Sequence, residues 1–378
     1  MWRWISILLL TSVVLVGLVP WLFQAGSRVS FILSDETKPR MFQAYLADLN
    51  GDGPLDAFLV YLNEENRVVL NDGNGHFTYD WGLVMHSYAL ALGDINADGQ
   101  VEAILNNFNG LETGLLCAQS PPDFSLHSPA DSFSSQAFAM RDEDNDGAAE
   151  SFLASCCNGS TVINNYETFS KGSPCLGQGR ANSVALADLN GDSALDAFLA
   201  KGQRVNLGWE VQDTPNEVWL NNGQGNFVDS GQRLGRAVSL AVVVGDVNGD
   251  GFLDAVVGNR GPDEVWLNDG QGRFSDSGQR LGGGLTHSLF LVDLDEDGDP
   301  DLFTAGETSG RAWLNDGDGW FRSGQRIRYG WNTAIAVGDV TGDGVVDAFV
   351  AGLETYQVWR GAGNGRFTSD PVASYRDG

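Results

Sequence analysis

The sequence predicts an all-β fold: a β-propeller of seven four-stranded blades, preceded by an N-terminal apolar helix. Three observations point there. A nine-residue acidic pattern, Asp-x-Asn/Asp/Thr-x-Asp-Gly-x-x-Asp/Glu, occurs seven times, its first Asp at Asp48, Asp94, Asp142, Asp188, Asp246, Asp293 and Asp339. The intervals are 46, 48, 46, 58, 47 and 46 residues, a period that suits one four-stranded sheet per repeat. Glycine is abundant, at 49 of 378 residues, and no 3.6-residue apolar periodicity supports a two-helix repeat of similar length.

The best-preserved repeat shows the elements in order. Residues 239–245 are an apolar, β-branched run and read as a buried first strand. Residues 246–254 form the acidic loop, 255–258 a second strand, 259–263 a Gly- and Pro-containing turn, and 264–267 a third strand. Asn268-Asp269-Gly270-Gln271-Gly272 is a hairpin turn of residues that tolerate positive φ, and 273–276 opens the fourth strand. The same turn returns at 71–75, 221–225, 315–319 and 361–365, and each copy is followed by a phenylalanine: Phe77, Phe227, Phe274, Phe321 or Phe367. The second and third repeats keep the acidic loop and lack this turn. Such a unit cannot bury both faces of its sheet alone, so neighbours cover them and ring closure leaves only short edges. The last fourth strand, 366–370, is expected to close the ring, with 29–33 as a second candidate for that edge.

Two domains are expected: 1–27, a signal peptide or signal-anchor helix, and 28–378, the propeller. Arg3 precedes an uncharged run from Trp4 to Phe23, long enough to span a bilayer, while Ala25 and Ser27 offer a cleavage site. In either case the propeller is exported, to the cell surface or beyond it, and contact with membrane is confined to the N-terminal segment. The net charge of −28, with only three lysines, argues against nucleic acid as a partner. Four cysteines, Cys117, Cys156, Cys157 and Cys175, fit an oxidising compartment. One of the vicinal pair could bridge to Cys175 and the other to Cys117, or all could remain buried thiols.

Twenty-three of the fifty acidic residues occupy positions one, three, five and nine of the repeated loops. Carboxylates this dense repel one another unless a cation joins them. Calcium takes six to eight hard oxygens, which side chains at positions one, three and five supply. Gly at position six lets the backbone turn, the carbonyl at seven faces the ion, and the acid at nine closes the cage.

Asp246-Val-Asn248-Gly-Asp250-Gly-Phe-Leu-Asp254, its six relatives and the Val-Trp-Leu-Asn-Asp-Gly turn resemble the integrin-α-type propeller with FG-GAP or VCBS repeats. The likeness covers nearly everything after residue 40. It implies one Ca2+ per loop, up to seven, with each loop joining the first two strands of its blade. The ligands so implied are Asp48, Asn50, Asp52 and Asp56 in repeat one; Asp94, Asn96, Asp98 and Glu102 in two; Asp142, Asp144, Asp146 and Glu150 in three; Asp188, Asn190, Asp192 and Asp196 in four. They continue with Asp246, Asn248, Asp250 and Asp254 in five; Asp293, Asp295, Asp297 and Asp301 in six; Asp339, Thr341, Asp343 and Asp347 in seven. Ser193 stands where repeat four needs a glycine, so that site is strained.

No nucleophile elbow, zinc-protease helix or phosphate loop is present; of the four histidines, His76, His86, His127 and His287, His76 reads as a turn residue and His86 and His287 as rim residues. The chain therefore reads as a monomeric, non-enzymatic binding or adhesion module for an extracellular protein or glycan. A calcium-dependent polysaccharide lyase or hydrolase is the alternative, and a purely structural domain the third. The long interval after Asp188 places an insertion at 201–216 on the face away from the acidic loops. It brings Arg204, Trp209 and Glu210 beside Arg236, Arg260, Arg328, Tyr329 and Trp331, a set suited to a sugar ring or acidic chain. The Arg of the recurring Gly-Gln-Arg, at Arg233, Arg280 and Arg326, reads as structural, paired with acids of neighbouring blades.

Overall fold

The structure, a computed structural model, describes residues 41–61, 65–83, 87–94, 101–107, 113–116, 137–141, 150–154, 161–164, 168–171, 176, 181–204, 211–212, 214–223, 226–330 and 333–375. The apolar leader, the segment 29–33 and all four cysteines lie outside them. Among the described residues no helix is long and apolar enough to cross a membrane.

Each repeat becomes one antiparallel sheet. Repeat one runs Met41–Ala47, Asp56–Tyr61, Asn66–Asn71 and Phe77–Leu83, in spatial order. Repeat three (Ala137–Arg141, Glu150–Ala154, Thr161–Asn164, Thr168–Lys171) has the same four-stranded meander. So do repeat four (Ala181–Ala187, Asp196–Lys201, Glu217–Asn221, Phe227–Asp229) and repeat six (Ser288–Val292, Asp301–Ala305, Ser309–Leu314, Arg322–Arg328). Repeat seven adds Ala373–Ser374 to its four strands Ala334–Gly338, Asp347–Ala351, Thr355–Gly361 and Phe367–Ser369. The expectation of seven four-stranded blades is thus met by five.

The other two sheets have three strands for different reasons. In repeat two, Ser87–Gly93, Glu102–Asn107 and Thr113–Leu116 are paired, and 117–136 lie outside the described residues. In repeat five the expected turn at 259–263 is itself paired: Arg260 and Gly261 face Leu285 and Gly284. The second and third strands therefore run on as one element, Asp254–Asn268, between Ser239–Gly245 and a long Phe274–Leu285.

Second strands are apolar on both faces and wholly buried, as in Asp196–Lys201 and Asp347–Ala351, because each is sandwiched between neighbouring sheets. The turn phenylalanines supply the contact between repeats. Phe274 meets Phe198 of repeat four edge-on at 5.3 Å, Phe367 meets Phe303 of repeat six at 5.7 Å, and Phe77 meets Phe349 of repeat seven at 4.3 Å. The Gln of Gly-Gln-Arg then clamps the next repeat's turn. Gln279 Nε2 donates to the Gly319 carbonyl (2.5 Å) and its Oε1 accepts from Phe321 N (2.9 Å). Gln232 does the same to Gly272 and Phe274, and Gln325 binds both backbone groups of Phe367.

Repeats one and seven share one core, built from Ala44, Tyr61, Phe77, Phe349, Tyr356 and Tyr375 among others. At this seam the Tyr356 hydroxyl accepts from Phe77 N (2.9 Å), where a Gln amide serves elsewhere. Arg67 adds an ion pair to Glu354 (3.6 Å). The fourth strand of the last repeat is C-terminal, as expected from 366–370.

Candidate functional site

Five acidic loops are described throughout: those of repeats one, four, five, six and seven. All five have one backbone trace. The position-one carboxylate caps it, one oxygen accepting from the N–H of position four and the other from position six. For Asp48 these bonds come from Gly51 (2.7 Å) and Gly53 (2.9 Å); for Asp339 from Gly342 (2.7 Å) and Gly344 (2.8 Å). The turn needs positive φ at both positions, as at Gly249 (72°) and Gly251 (87°). The sequence reading anticipated position six and missed position four. Ser193 does take φ 72°, as the missing glycine implied, and Glu296 takes φ 63° at position four of repeat six. These are the two non-glycine residues with positive φ among those described.

The position-nine acid is buried and ties the loop to the third strand. Asp254 accepts from Val247 N (3.2 Å) and Asn268 N (2.8 Å); Asp301 accepts from Leu294 N (2.9 Å) and Asn315 N (2.7 Å). The same asparagines reach into the preceding repeat: Asn268 Nδ2 donates to the Leu189 carbonyl and Asn315 Nδ2 to that of Val247. Burial pushes the carboxyls of Asp56, Asp196, Asp254 and Asp301 up to about 6, against their backbone hydrogen bonds and with help from nearby carboxylates. Asp347 moves the same way.

Carboxylate oxygens of Asp48, Asp52 and Asp56 lie within 4.8 Å of one another, as do those of Asp339, Asp343 and Asp347 and of Asp293, Asp295 and Asp297. These clusters could hold a metal ion. The third gives the sharper test of fit, because Asp295 Oδ1 is buried without a hydrogen-bond partner. Burial, then Asp297 and Asp293, raise the Asp295 carboxyl. A hard cation satisfies that oxygen and removes the repulsion, so the donors fit one. At position three, Asn50 Nδ2 donates to Asp52 (2.9 Å), and Asn190 and Asn248 bond Asp192 and Asp250 likewise. Thr341 donates its hydroxyl to the buried Asp347 (2.9 Å). Asp94 directly follows the first strand of repeat two, and Glu102 and Glu150 begin strands; Asn96, Asp98, Asp142, Asp144 and Asp146 lie outside the described residues.

The expected ligand rim is placed in part. Arg236, Arg260 and Arg328 are exposed. Tyr329 serves the fold, donating its hydroxyl to the Gly306 carbonyl (2.7 Å). Arg204 sits in a small ribbon, Gln203–Arg204 against Val211–Gln212, made by the insertion; Trp209, Glu210 and Trp331 lie outside the described residues. The repeated arginines are structural in repeats four and five, and their acids are of the same repeat, not the neighbour. Arg233 binds Asp229 and Arg280 binds Asp276, each at 2.7 Å, because the chain bulges between them at a glycine of positive φ, Gly231 or Gly278.

A cavity of about 700 Å3 opens between repeats five and six. Its walls include Asp263, Gly282, Gly283, Gly284, Thr286 and the 304–311 hairpin. In a four-stranded meander the connections after strands two and four leave by one edge and those after strands one and three by the other. The cavity therefore faces away from the acidic loops. One sign of it is visible in the amino-acid order: three consecutive glycines, Gly282 to Gly284, where repeat four has Gly-Arg-Ala.

Comparison with known proteins agrees with this architecture. The profile of FG-GAP-like repeats matches residues 48–105, 207–257, 246–304 and 293–350. A lectin of Agrocybe aegerita, described as recognising non-reducing terminal N-acetylglucosamine, has 18% identity and a TM-score of 0.54, over 89% of this chain and 94% of that one. BBS1N, solved in complex with ARL6DN, has 9% identity and a TM-score of 0.58, over 89% and 92%. Among curated proteins none is similar enough in sequence to match.

Proposed function

The chain belongs to the FG-GAP-like repeat family, and we propose that it is an exported, calcium-binding propeller that recognises a glycan or protein outside the cell and is not an enzyme. In this reading the three-stranded sheets of repeats two and five complete a ring of seven blades. The observation that carries it is the separation of two kinds of chemistry. The acidic loops, with the unpartnered Asp295 Oδ1, occupy one face, and a polar cavity opens on the other. A rigid ring with a recessed, hydroxyl-rich pocket suits recognition. The integrin-α and VCBS likeness of the loops is the reason for choosing calcium. Positions one, five and nine would hold it in repeats one and seven, and positions one, three and five in repeat six. Bound calcium would supply charge neutralisation and rigidity to the loops. The propeller of a lectin and that of BBS1N, bound to ARL6DN, favour a binding role by analogy of fold.

The test is a screen of glycans and candidate extracellular proteins with calcium and with chelator, run beside an ultraviolet assay on uronate polymers. Calcium-dependent retention without new absorbance is expected. Rising absorbance would replace the binding module by the lyase reading.

A further inference from the structure

This inference rests on the reading of the chain as a glycan-binding propeller and concerns which glycan. In repeats four and five the third and fourth strands carry a matched acid and arginine. Glu264 faces Arg280 directly across the ladder, and Arg280 Nε lies 3.8 Å from Glu264 Oε1. Arg233 and Glu217 repeat this at 3.8 Å, and Asp229 and Asp276 give each arginine a second carboxylate.

Repeat six breaks the pattern at both acids. Arg311 stands where the others have Glu217 and Glu264. The stretch after Phe321 is one residue shorter and reads Arg322-Ser323, with no aspartate before Gly-Gln-Arg. Arg311 consequently faces Arg326 across the ladder, a like-charge pair that costs stability on its own. Among the described residues neither has a carboxylate within ion-pair distance. Arg326 donates to Ser309 Oγ (2.8 Å), and Arg311 donates to Ser323 Oγ and lies over the Trp313 ring at 5.3 Å. Arg322 is neutralised by Asp316. In a chain of net charge −28, two adjacent unneutralised guanidiniums are a conspicuous departure.

Both line the 700 Å3 cavity. Beside the Asp276-paired Arg280 and the apolar Leu285 and Trp313, its remaining surface is mostly hydroxyl-bearing (Thr286, Thr304, Thr308) or bare glycine backbone, and a Cβ at Gly283 or Gly284 would meet nothing within 4 Å. Two acids also touch it. Both Asp263 oxygens accept hydrogen bonds, from Asn259 N and Thr286 Oγ1, and burial pushes its carboxyl up to about 7, so its charge is weakened. Glu307 is exposed at the rim. We propose that this cavity is an anion-recognition site, in which Arg311 and Arg326 together clamp the carboxylate or sulfate group of an acidic saccharide. Paired guanidiniums bind planar or tetrahedral oxyanions through parallel N–H donors, and the hydroxyls and backbone suit sugar hydroxyls. A recessed pocket fits one or two sugar rings better than an extended acidic peptide.

The experiment measures binding of the full chain to immobilised polygalacturonate (carboxylate only), dextran sulfate (sulfate only), neutral dextran and polyglutamate, in calcium. Arg311→Glu installs the Glu–Arg pair that repeats four and five already fold with, and Arg326→Gln and Arg311→Gln are the milder companions. The parent is expected to bind one or both charged polysaccharides and neither neutral dextran nor polyglutamate. Which polymer binds identifies the group. Each variant should lose roughly ten- to hundredfold in affinity at a melting temperature no lower than the parent's, since each removes the like-charge pair. Binding that survives Arg311→Glu but vanishes with chelator would place the anion on the calcium loops and overturn the proposal. Equal, Arg311-dependent binding of polyglutamate would replace the saccharide by an acidic peptide. Neutral glycan binding insensitive to all three variants would sink the anion clamp and leave the glycan reading standing; no glycan binding of any kind would sink both.

Discussion

Replacing Gln279 by leucine tests how one repeat is held to the next. Gln279 is 5% exposed and makes two hydrogen bonds across the seam, to the Gly319 carbonyl and from Phe321 N. Leucine fills a similar volume and leaves both backbone groups buried without a partner. Each stranded group costs about 1–3 kcal/mol, so a loss of roughly 3 kcal/mol is expected. The unit spans residues 39–378. At about 2.1 cal/mol/K per residue its unfolding entropy is roughly 0.7 kcal/mol/K, which converts the loss into about 4 °C of melting temperature. Calorimetry in excess calcium holds cation linkage constant. Hydrogen exchange supplies a local readout, because the Phe321 amide loses its acceptor and should exchange roughly a hundredfold faster. A melting temperature within 1 °C of the parent, with Phe321 still protected, would refute the view that the recurring glutamine is an inter-repeat clamp.

Calcium should stabilise the protein, and melting with calcium and with chelator should separate by many degrees; coincident curves would remove the cation from the loops. Ser193→Gly relieves a left-handed serine and should raise stability by about 0.5–1 kcal/mol by denaturant titration, whereas an equal loss would show the serine side chain to be needed. Asp263 titrates near 7 folded and near 3.8 unfolded, so the native state holds the proton longer and the group's contribution to stability falls as pH rises from about 4 to about 7. Asp263→Asn keeps both hydrogen-bond partners and should flatten that slope, gaining at pH 8 at most roughly 4 kcal/mol; an unchanged slope would mean that Asp263 stays ionised throughout. Tyr356→Phe removes the acceptor of Phe77 N and should cost about 1–2 kcal/mol, and no change would show that water or another group takes its place.

The repeat was legible because the acidic loops and the hairpin turns leave fixed residues at fixed spacings. The five loops, the strained Ser193 and the C-terminal fourth strand all followed from the pattern. Contacts between repeats were less legible. A Gln at one position and a Phe 42 residues later carry no local sign that they bind one another. The continuous Asp254–Asn268 strand was hidden because turn-forming Asn, Gly and Pro also pair when a glycine-rich partner strand passes beside them. The cavity was missed for a related reason. The recurrence of Gly-Gln-Arg marked Arg326 as structural, and only the loss of its two acids, Glu to Arg311 and Asp to a deletion, distinguishes it from Arg233 and Arg280.

The shared core of repeats one and seven governs how the chain is made. Phe77 emerges from the ribosome 279 residues before Tyr356, the acceptor of its amide. At about 5–20 residues per second that is a wait of roughly 15–55 s, during which the outer flank of the first sheet has no cover. Phe77, Tyr61 and Val69 are fully buried only when the last sheet arrives. Nascent chains stalled before Phe349 should therefore present a sticky, chaperone-accessible flank at their N-terminal repeat, while the seams from repeat four to five and from five to six are already sealed by Gln232 and Gln279. Truncations that remove the final repeat leave that same flank permanently open, and the expected fate of such fragments is pairing with one another rather than simple unfolding.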